Sequence, residues 1–396
     1  MKPQAIELLK KIYGYNEFKP NQFEIIEALV NKQNCIALFP TGYGKSILFI
    51  ISSLLMDGMS IVVSPLISLM NDQLKDLNKK DVKAVVLHSN LDKKTLLSYY
   101  NLIVKNKVNL IYVSPERLND NYFKSIILKI KISMVVVDEA HTILWGDIFR
   151  KSFLKIGEFI VSLPEKPVIL AVTATATANT IDKIKEVLCD KDFRVYQTSI
   201  IRSNIIYKVI NTKDKKQFLS DYFNRYKDDK IIIYSLTKKN VDYLSDYFNK
   251  YNVCKYHGGL SASIKEENQE KFSVGKSNII FCTNAFGMGI NISDIRHVIH
   301  YEIPASIEDL VQQSGRAGRD GIISYSTILF NFSDVKIIQG FNSKLRYDIK
   351  RREKKKLDKI IDFCLTKRCR NQYIASYFGE NKGKCECLCD NCLNNT

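Results

Sequence analysis

A glycine-containing loop near the start of the chain has the residue types of a phosphate-binding turn. An apolar run over 35–39 leads into Pro40 to Ser46 and then into an apolar stretch with helical spacing. Glycines let backbone N–H groups point at phosphate oxygens, and the helix N-terminus adds positive potential. The residues expected to contact a nucleotide here are Thr41, Gly42, Gly44, Lys45 and Ser46, with Lys45 on the outer phosphates and Ser46 on magnesium. The strict pattern has glycine where Phe39 stands, so the loop alone leaves an ordinary turn open.

A second run, Met134 to Val137, ends in two adjacent carboxylates, Asp138 and Glu139, followed by Ala140 and His141. Carboxylates at the end of a buried strand are costly unless a cation compensates them. We expect Asp138 to hold magnesium and Glu139 to orient and deprotonate an attacking water, as nucleoside triphosphate hydrolysis requires. The alternative is a surface turn after a strand.

Two arginines, Arg316 and Arg319, lie three residues apart in a glycine-flanked segment that begins at Gln312. At this spacing we expect both on one face of a helix, one turn apart. A guanidinium group can spread the charge of a phosphate transition state, so both are candidate arginine fingers. A solvated helical turn is the alternative.

The composition favours a polyanion as the partner. The 396 residues carry a formal net charge of +17, although a coding bias toward lysine would raise the charge without any partner. No apolar run approaches the roughly 18 residues of a membrane span, and no secretory signal opens the chain. We therefore expect an intracellular protein, in the cytoplasm of a prokaryote or the nucleus of a eukaryote.

Short apolar runs alternate with longer amphipathic stretches, which is typical of parallel sheets covered by helices. The pattern predicts an α/β fold with two lobes, residues 1–200 and 201–342, and a crossing near 190–211 that lacks strong periodicity. A basic helical segment follows, with 12 Lys or Arg against 4 Asp or Glu over 343–370. We assign 343–396 to a small helical C-terminal subdomain.

Ordered sequence blocks over about residues 10–392 together resemble the RecQ family of superfamily 2 DNA helicases. The blocks are the segment around Tyr15, Phe18, Pro20 and Gln22, the loop ending in Gly44 to Ser46, VVSPLISLMNDQ, YVSPERL, DEAH, TATA, AFGMGI and GRAGRDG. The resemblance implies two RecA-like lobes with ATP and magnesium between them, and single-stranded DNA as the partner. It also implies 3′ to 5′ movement and work in DNA repair or recombination.

The same resemblance implies roles for individual residues. Gln22 would read the adenine edge and Tyr15 would stack on its face, with Lys19 where the family usually has arginine. The segment with Gly287, Met288 and Gly289 would touch nucleotide and DNA backbone. The residues that would couple hydrolysis to strand contacts are Thr173, Thr175 and Gln312.

After DEAH, residues 142–153 resemble the aromatic-rich loop of the family, in which side chains stack on unpaired bases. The expected DNA-binding residues are Trp145, Phe149, Arg150 and Phe153. The loop is one residue shorter before Trp145 than is usual, and Asp147 replaces the usual histidine. A tryptophan can also be a simple core residue.

Six of the ten cysteines crowd the last 33 residues, and Cys389 and Cys392 have the spacing of a structural zinc site. We assign the zinc ligands as Cys369, Cys385, Cys389 and Cys392. Cys387 could replace Cys385, and in the family Cys364 is usually not a ligand. A disulfide is the alternative, although it is disfavoured in a reducing compartment.

The sequence thus predicts an ATP-dependent DNA helicase, expected to act as a monomer. Longer members of the family continue into a winged-helix domain, so we expect unwinding that is weak or depends on a partner. A nucleic-acid-stimulated ATPase that remodels RNA or nucleoprotein without processive unwinding is the runner-up. An idle zinc-containing DNA-binding module fits poorly, because Lys45, Asp138, Glu139 and both arginines are present.

Overall fold

The computed structural model describes residues 1–147, 151–287, 292–385 and 388–393. The chain forms two compact units, Met1–Ile200 and Ile201–Thr396. Each unit is built on one parallel sheet. No helix in the described part of the chain is both long and apolar enough to cross a lipid bilayer.

The first unit has a seven-stranded sheet in the order β3-β4-β2-β5-β6-β1-β7. Its strands are β1 (Cys35–Leu38), β2 (Met59–Val63), β3 (Ala84–Leu87), β4 (Leu110–Val113), β5 (Ile132–Val137), β6 (Val168–Thr173) and β7 (Arg194–Gln197). Its helices are α1 (Lys2–Tyr13), α2 (Gln22–Val30), α3 (Lys45–Leu55), α4 (Ile67–Lys79), α5 (Lys93–Val104), α6 (Asn121–Ile127), α7 (Ile156–Val161) and α8 (Ala178–Val187).

Hydrophobic cores cover both faces of this sheet. Within β1, Ile36 belongs to one core and its neighbours Cys35 and Ala37 to the other, because successive side chains point to opposite faces. Burial on both faces explains why the central strands are almost uninterrupted apolar runs. The pairings of β1 with β6 and of β6 with β5 bring the carboxyl ends of these strands to one edge, where α/β sheets bind ligands.

The second unit has a six-stranded parallel sheet in the order β10-β11-β9-β12-β13-β8. Its strands are β8 (Ile205–Asn211), β9 (Lys230–Tyr234), β10 (Val253–Tyr256), β11 (Ile279–Cys282), β12 (Ile295–His300) and β13 (Ser324–Phe330). Its helices are α9 (Lys215–Arg225), α10 (Lys238–Tyr247), α11 (Ala262–Ser273), α12 (Ile307–Ser314), α13 (Phe332–Asn342), α14 (Tyr347–Leu365), α15 (Arg370–Tyr377) and α16 (Asp390–Leu393).

The C-terminal helices pack within the second unit and cover its edge strand. Tyr207 of β8 forms a bridge with Cys389, and the amide of Val209 donates to an Asp390 carboxylate oxygen at 2.7 Å. Arg370 donates to both carboxylate oxygens of Asp390 at 2.9 and 3.3 Å. The cysteine-rich segment therefore contacts the open edge of β8 at Tyr207 and Val209.

The predicted α/β class, with two parallel-sheet lobes and a helical C-terminal region, is confirmed. The segment 190–211, which lacks strong periodicity in the sequence, nevertheless contains β7 and β8. Both are edge strands, and β7 is mostly exposed, so the chain needs no apolar run there.

Candidate active site and zinc cluster

The loop between β1 and α3 has the backbone of a phosphate-binding turn. Gly42 and Gly44 adopt positive φ angles of 79° and 96°, and Gly44 is the N-cap of α3. A Cβ atom on Gly44 would lie 2.8 Å from the amide nitrogen Nε2 of Gln22. Position 44 therefore requires glycine both for its conformation and for the close approach of Gln22, and the first amides of α3 are directed at the loop.

Gln22 is buried beneath this loop and joins it to the preceding segment. Its Oε1 accepts from the amide of Lys19 at 2.9 Å, and its Nε2 donates to the carbonyl of Tyr43 at 3.0 Å. These bonds use one lone pair and one N–H of the amide, which has two of each. Gln22 keeps the capacity for one donor and one acceptor contact, the pair that an adenine edge presents.

The other residues expected to bind the base lie beside Gln22. The ammonium of Lys19 is 5.2 Å from the ring centroid of Tyr43, a cation–π distance. Tyr15 is 56% exposed, and its ring lies parallel to that of Tyr13 with centroids 6.4 Å apart. The exposure of the Tyr15 ring is consistent with a stacking role.

Asp138 follows β5 and is buried at the carboxyl edge of the sheet. Its amide donates to the carbonyl of Val63, and its carboxylate accepts from the amide of Glu139 at 2.9 Å. Burial raises the pKa of Asp138 to about 7 and the adjacent charge of Glu139 adds to this, while Lys45 opposes it. A carboxylate this costly to ionise is suited to a divalent cation, which favours the charged form.

Glu139 joins the phosphate loop to β6 through a chain of polar contacts. Lys45 Nζ lies 3.5 Å from Glu139 Oε1, and His141 Nδ1 lies 3.5 Å from Glu139 Oε2. His141 Nδ1 is also 2.8 Å from Thr173 Oγ1, which accepts from the amide of Thr175 at 3.3 Å. The structure therefore brings Lys45, Glu139 and Thr173 together, and His141 is the connecting residue that sequence reasoning left without a role.

The backbone at Glu139 is unusual for a residue that is not glycine. Its φ is 47°, in the left-handed region. Strain of this kind costs on the order of 1–3 kcal/mol and clusters at functional sites. The turn immediately after β5 thus holds the Glu139 carboxylate in a position that an ordinary strand ending would not give.

The aromatic-rich loop is described only in part. Trp145 falls in the short helical turn Ala140–Asp147, its side chain lies outside the described structure, and Phe149 and Arg150 lie outside it entirely. Phe153 is fully buried in a hydrophobic core of the first unit. Its expected role in stacking on DNA is therefore wrong, because a ring packed on all sides cannot receive a base.

In the second unit, Arg316 and Arg319 follow α12. The helix ends at Ser314 and the chain turns through Gly318, whose φ is 57°. The expectation that both arginines share one helical face is therefore wrong, because α12 ends at Ser314, before either arginine. Gln312 lies within α12, two residues before its end.

Arg316 is buried against the backbone of Gly287. A Cβ atom on Gly287, whose φ is 106°, would lie 2.2 Å from Arg316 Nε. Burial, together with the positive charges of Arg316 and Arg202, lowers the pKa of Arg319 to about 10, so Arg319 remains charged at neutral pH. Two crowded cations are suited to an anionic ligand. Met288 and Gly289 lie outside the described residues.

Four cysteine sulfurs converge in the C-terminal region. The Sγ atoms of Cys369, Cys385, Cys389 and Cys392 all lie within 4.8 Å of one another. Thiolates at about 2.3 Å from a tetrahedral zinc stand roughly 3.8 Å apart, so the spacing fits that ion. Cys387 lies outside the described residues, and Cys364 is buried in α14.

Backbone amides support the cysteine sulfurs. The amide of Cys385 donates to Cys369 Sγ at 3.2 Å, and the amide of Arg370 donates to Cys389 Sγ at 3.4 Å. Burial alone would raise the pKa of the Cys369 thiol, but the amides of Cys385 and Gln372 outweigh it and lower this pKa to about 7. Such N–H to sulfur bonds favour the thiolate form that a metal requires.

Three family models together match most of the chain. Residues 19–184 match the DEAD/DEAH box helicase model, residues 214–321 the helicase conserved C-terminal domain, and residues 332–393 the RecQ zinc-binding model. The boundaries of these matches place the phosphate loop in the first model, the arginines in the second and the four cysteines in the third.

Curated relatives align with nearly the whole chain. The chain is 35% identical to the ATP-dependent DNA helicase RecQ of Bacillus subtilis, covering 98% of this chain and 67% of the relative. It is 33% identical to the RecQ of Haemophilus influenzae over 99% of this chain and 63% of that protein. A protein of Acanthamoeba polyphaga mimivirus carries the provisional name ATP-dependent RNA helicase R290. It is 38% identical to this chain, and the match covers 98% of this chain and 71% of the viral protein. The chain spans about two thirds of the length of these relatives.

Solved structures share the fold at low identity. Yeast Dbp5 bound to RNA and ADP BeF3 matches with a TM-score of 0.68 and 18% identity, covering 89% of this chain and 97% of Dbp5. The DUF1998 helicase MrfA bound to DNA matches with a TM-score of 0.70 and 16% identity, covering 86% of this chain and 50% of MrfA. The architecture of two RecA-like lobes is thus that of known helicases.

Proposed function

Because the chain belongs to the RecQ family of ATP-dependent DNA helicases, we propose that it hydrolyses ATP to move 3′ to 5′ along single-stranded DNA and to separate duplex strands, in DNA repair or recombination. The contact chain from Lys45 through Glu139 and His141 to Thr173 carries this proposal. It links the group expected on the phosphates to the segment expected to sense the bound strand.

Residues of the first unit have separate proposed roles in ATP hydrolysis. Lys45 and the first amides of α3 bind the phosphates, and Gln22 and Tyr15 hold the base. Ser46 and Asp138 would hold a magnesium ion, which neutralises phosphate charge. Glu139 takes the proton of the attacking water, a contribution typically worth about 10²–10⁴-fold in rate. Lys45 Nζ lies 3.5 Å from the same carboxylate, so the phosphate-binding lysine and the proposed base are neighbours.

We further propose that Arg316 and Arg319 act on the transferred phosphate. Both are cationic and crowded together, so a phosphate oxygen relieves their mutual repulsion. An arginine in this role is worth about 10³–10⁵-fold in rate in related phosphoryl transfer reactions. Trp145, Phe149 and Arg150 are proposed to contact single-stranded DNA, with Thr173, Thr175 and Gln312 coupling that contact to hydrolysis.

The four clustered cysteines are proposed to hold a structural zinc. Four sulfur ligands close the coordination sphere, which leaves no position for a reacting water. The proposed task of the ion is therefore to fix the segment that covers strand β8, since Cys389 and Asp390 both contact that strand.

RNA remodelling is the second candidate, because the mimivirus relative at 38% identity is named for RNA. The test is steady-state ATP hydrolysis with a single-stranded DNA, an RNA of the same sequence, or neither. We expect stimulation by DNA well above that by RNA, and a loss of about 10²–10⁴-fold in the Glu139→Gln variant. Equal or greater stimulation by RNA would favour the second candidate, and no hydrolysis under any condition would reject both.

A further inference from the structure

Arg202 binds the backbone of the turn that carries Arg316 and Arg319. One terminal nitrogen of its guanidinium donates to the carbonyls of Gly315 and Ala317, both at 3.0 Å. The other donates to the carbonyl of Gly318. The three acceptors lie directly beside the two arginines in sequence. Carbonyls just beyond a helix C-terminus lack helical partners and carry partial negative charge, so a guanidinium is a suitable ligand for them.

Asn204, two residues after Arg202, binds the same turn. Its Nδ2 donates to the carbonyls of Gly318 at 2.7 Å and of Ile322 at 2.9 Å, and its Oδ1 accepts from Arg202 at 3.4 Å. A Cβ atom on Gly318 would lie 2.5 Å from Asn204 Nδ2. The backbone at Gly318 is therefore packed closely against the side chain of Asn204, and both Arg202 and Asn204 donate to its carbonyl.

The hydrogen bonds of Arg202 distinguish its role from that of the two arginines it holds. Its two terminal nitrogens make four hydrogen bonds within the protein, three of them to backbone carbonyls. A planar fork of donors is needed for this geometry, and a lysine ammonium cannot reproduce it. Burial lowers the pKa of Arg202 itself, and the charge of Arg202 contributes to the lowered pKa of Arg319. Arg202 thus binds backbone carbonyls on both sides of Arg316 and immediately before Arg319, and so holds these two like charges near its own.

We propose that Arg202 is a positioning residue that sets the location of Arg316 and Arg319 for their contact with the transferred phosphate of ATP, an inference that rests on the proposed function. Arg202 does this through the backbone and does not itself touch the nucleotide. A displacement of a catalytic group by about 1 Å can cost on the order of 100-fold in rate. Since arginine fingers act mainly in the transition state, loss of Arg202 should lower kcat and leave the KM for ATP nearly unchanged.

The first test compares Arg202→Gln with Arg202→Lys in DNA-stimulated ATP hydrolysis. We expect kcat to fall about 100-fold in both variants, with the KM for ATP and the affinity for single-stranded DNA changed less than about 3-fold. The matched control is Arg225→Gln, which removes an exposed arginine at the end of α9 and should keep wild-type kcat. A wild-type kcat in Arg202→Gln would overturn the inference.

A double-mutant comparison separates positioning from a general loss of structure. In an Arg316→Ala/Arg319→Ala background, Arg202→Gln should lower the residual rate by less than about 2-fold, because residues that act as a unit are not additive. If the full loss appears again in that background, Arg202 acts independently of the two arginines and the inference is wrong. Asn204→Ala provides a milder variant should Arg202→Gln fail to fold, and its smaller loss should vanish in the same background.

The outcomes also distinguish this inference from the proposed function. If the wild-type protein hydrolyses no ATP, the proposed function fails and this inference fails with it. If the wild type is active but Arg316→Ala/Arg319→Ala has the same kcat, the proposed ATP-driven helicase activity survives. The proposed role of the two arginines and the inference about Arg202 then both fail.

Discussion

The Gly287→Ala substitution should displace the guanidinium of Arg316 while leaving the protein folded. The new Cβ would lie 2.2 Å from Arg316 Nε and 2.5 Å from its Cδ. Carbon atoms in contact are about 3.5 Å or more from their neighbours, so Arg316 must retreat by more than about 1 Å. Because the Arg316 side chain is flexible along its length, this displacement should lower kcat more than it lowers the free energy of unfolding.

The expected magnitude follows from that displacement. A 1 Å misplacement of a catalytic group costs on the order of 100-fold, so DNA-stimulated kcat should fall by about that factor. Alanine at a φ of 106° is strained, which should lower the free energy of unfolding by about 1–2 kcal/mol. The assays are ATP hydrolysis at saturating single-stranded DNA and unfolding in denaturant.

Gly321 offers a matched control in the same region of the chain. Its φ is 86°, and no described atom lies within 4 Å of the position where its Cβ would be. Gly321→Ala should therefore lose similar stability but keep kcat within about 3-fold of wild type, since backbone strain alone does not move Arg316. Equal kcat values for the two alanine variants would refute the reasoning.

Three further predictions concern other parts of the molecule. Trp145→Ala should abolish the stimulation of hydrolysis by DNA while basal turnover persists, which titration of single-stranded DNA in the ATPase assay measures; unchanged stimulation would count against a role in coupling. Cys389→Ser, at a buried sulfur within the cluster, should reduce bound zinc from about one ion per chain to nearly none and lower the melting temperature, as metal analysis and thermal unfolding would show; full zinc content would contradict the ligand assignment. Burial lowers the pKa of His300 to about 4, so below the unfolded value of about 6.5 only the unfolded state takes up the proton, and stability should fall by about 1.4 kcal/mol per pH unit toward pH 4. Denaturant unfolding at pH 7.5 and pH 5 should show a smaller loss for His300→Asn than for wild type, and identical losses would exclude this origin.

The sequence predicted those parts of the fold in which an apolar run ends in polar residues typical of an active site. Strand β5 is an apolar run that ends in two carboxylates, so both the strand and the position of Asp138 at its end could be expected. The edge strands β7 and β8 were missed because a strand with one covered face needs no apolar run.

The detailed geometry of the site depends on contacts between residues distant in sequence. Arg316 and Arg319 lie in a turn held by Arg202, more than a hundred residues earlier, and no local pattern indicates that contact. Phe153 has the residue type of a stacking side chain but is buried in the core, and only tertiary packing distinguishes the two roles. The link through His141 likewise requires β5 and β6 to be neighbours in the sheet.

Directional movement on DNA is the central claim, and displacement of streptavidin from biotinylated single-stranded DNA tests it most directly. With ATP, the wild-type protein should release streptavidin from a biotin at the 5′ end much faster than from a biotin at the 3′ end, and Glu139→Gln should release neither. Release without preference for an end, release mainly from the 3′ end, or hydrolysis of ATP with no release at all would contradict the account.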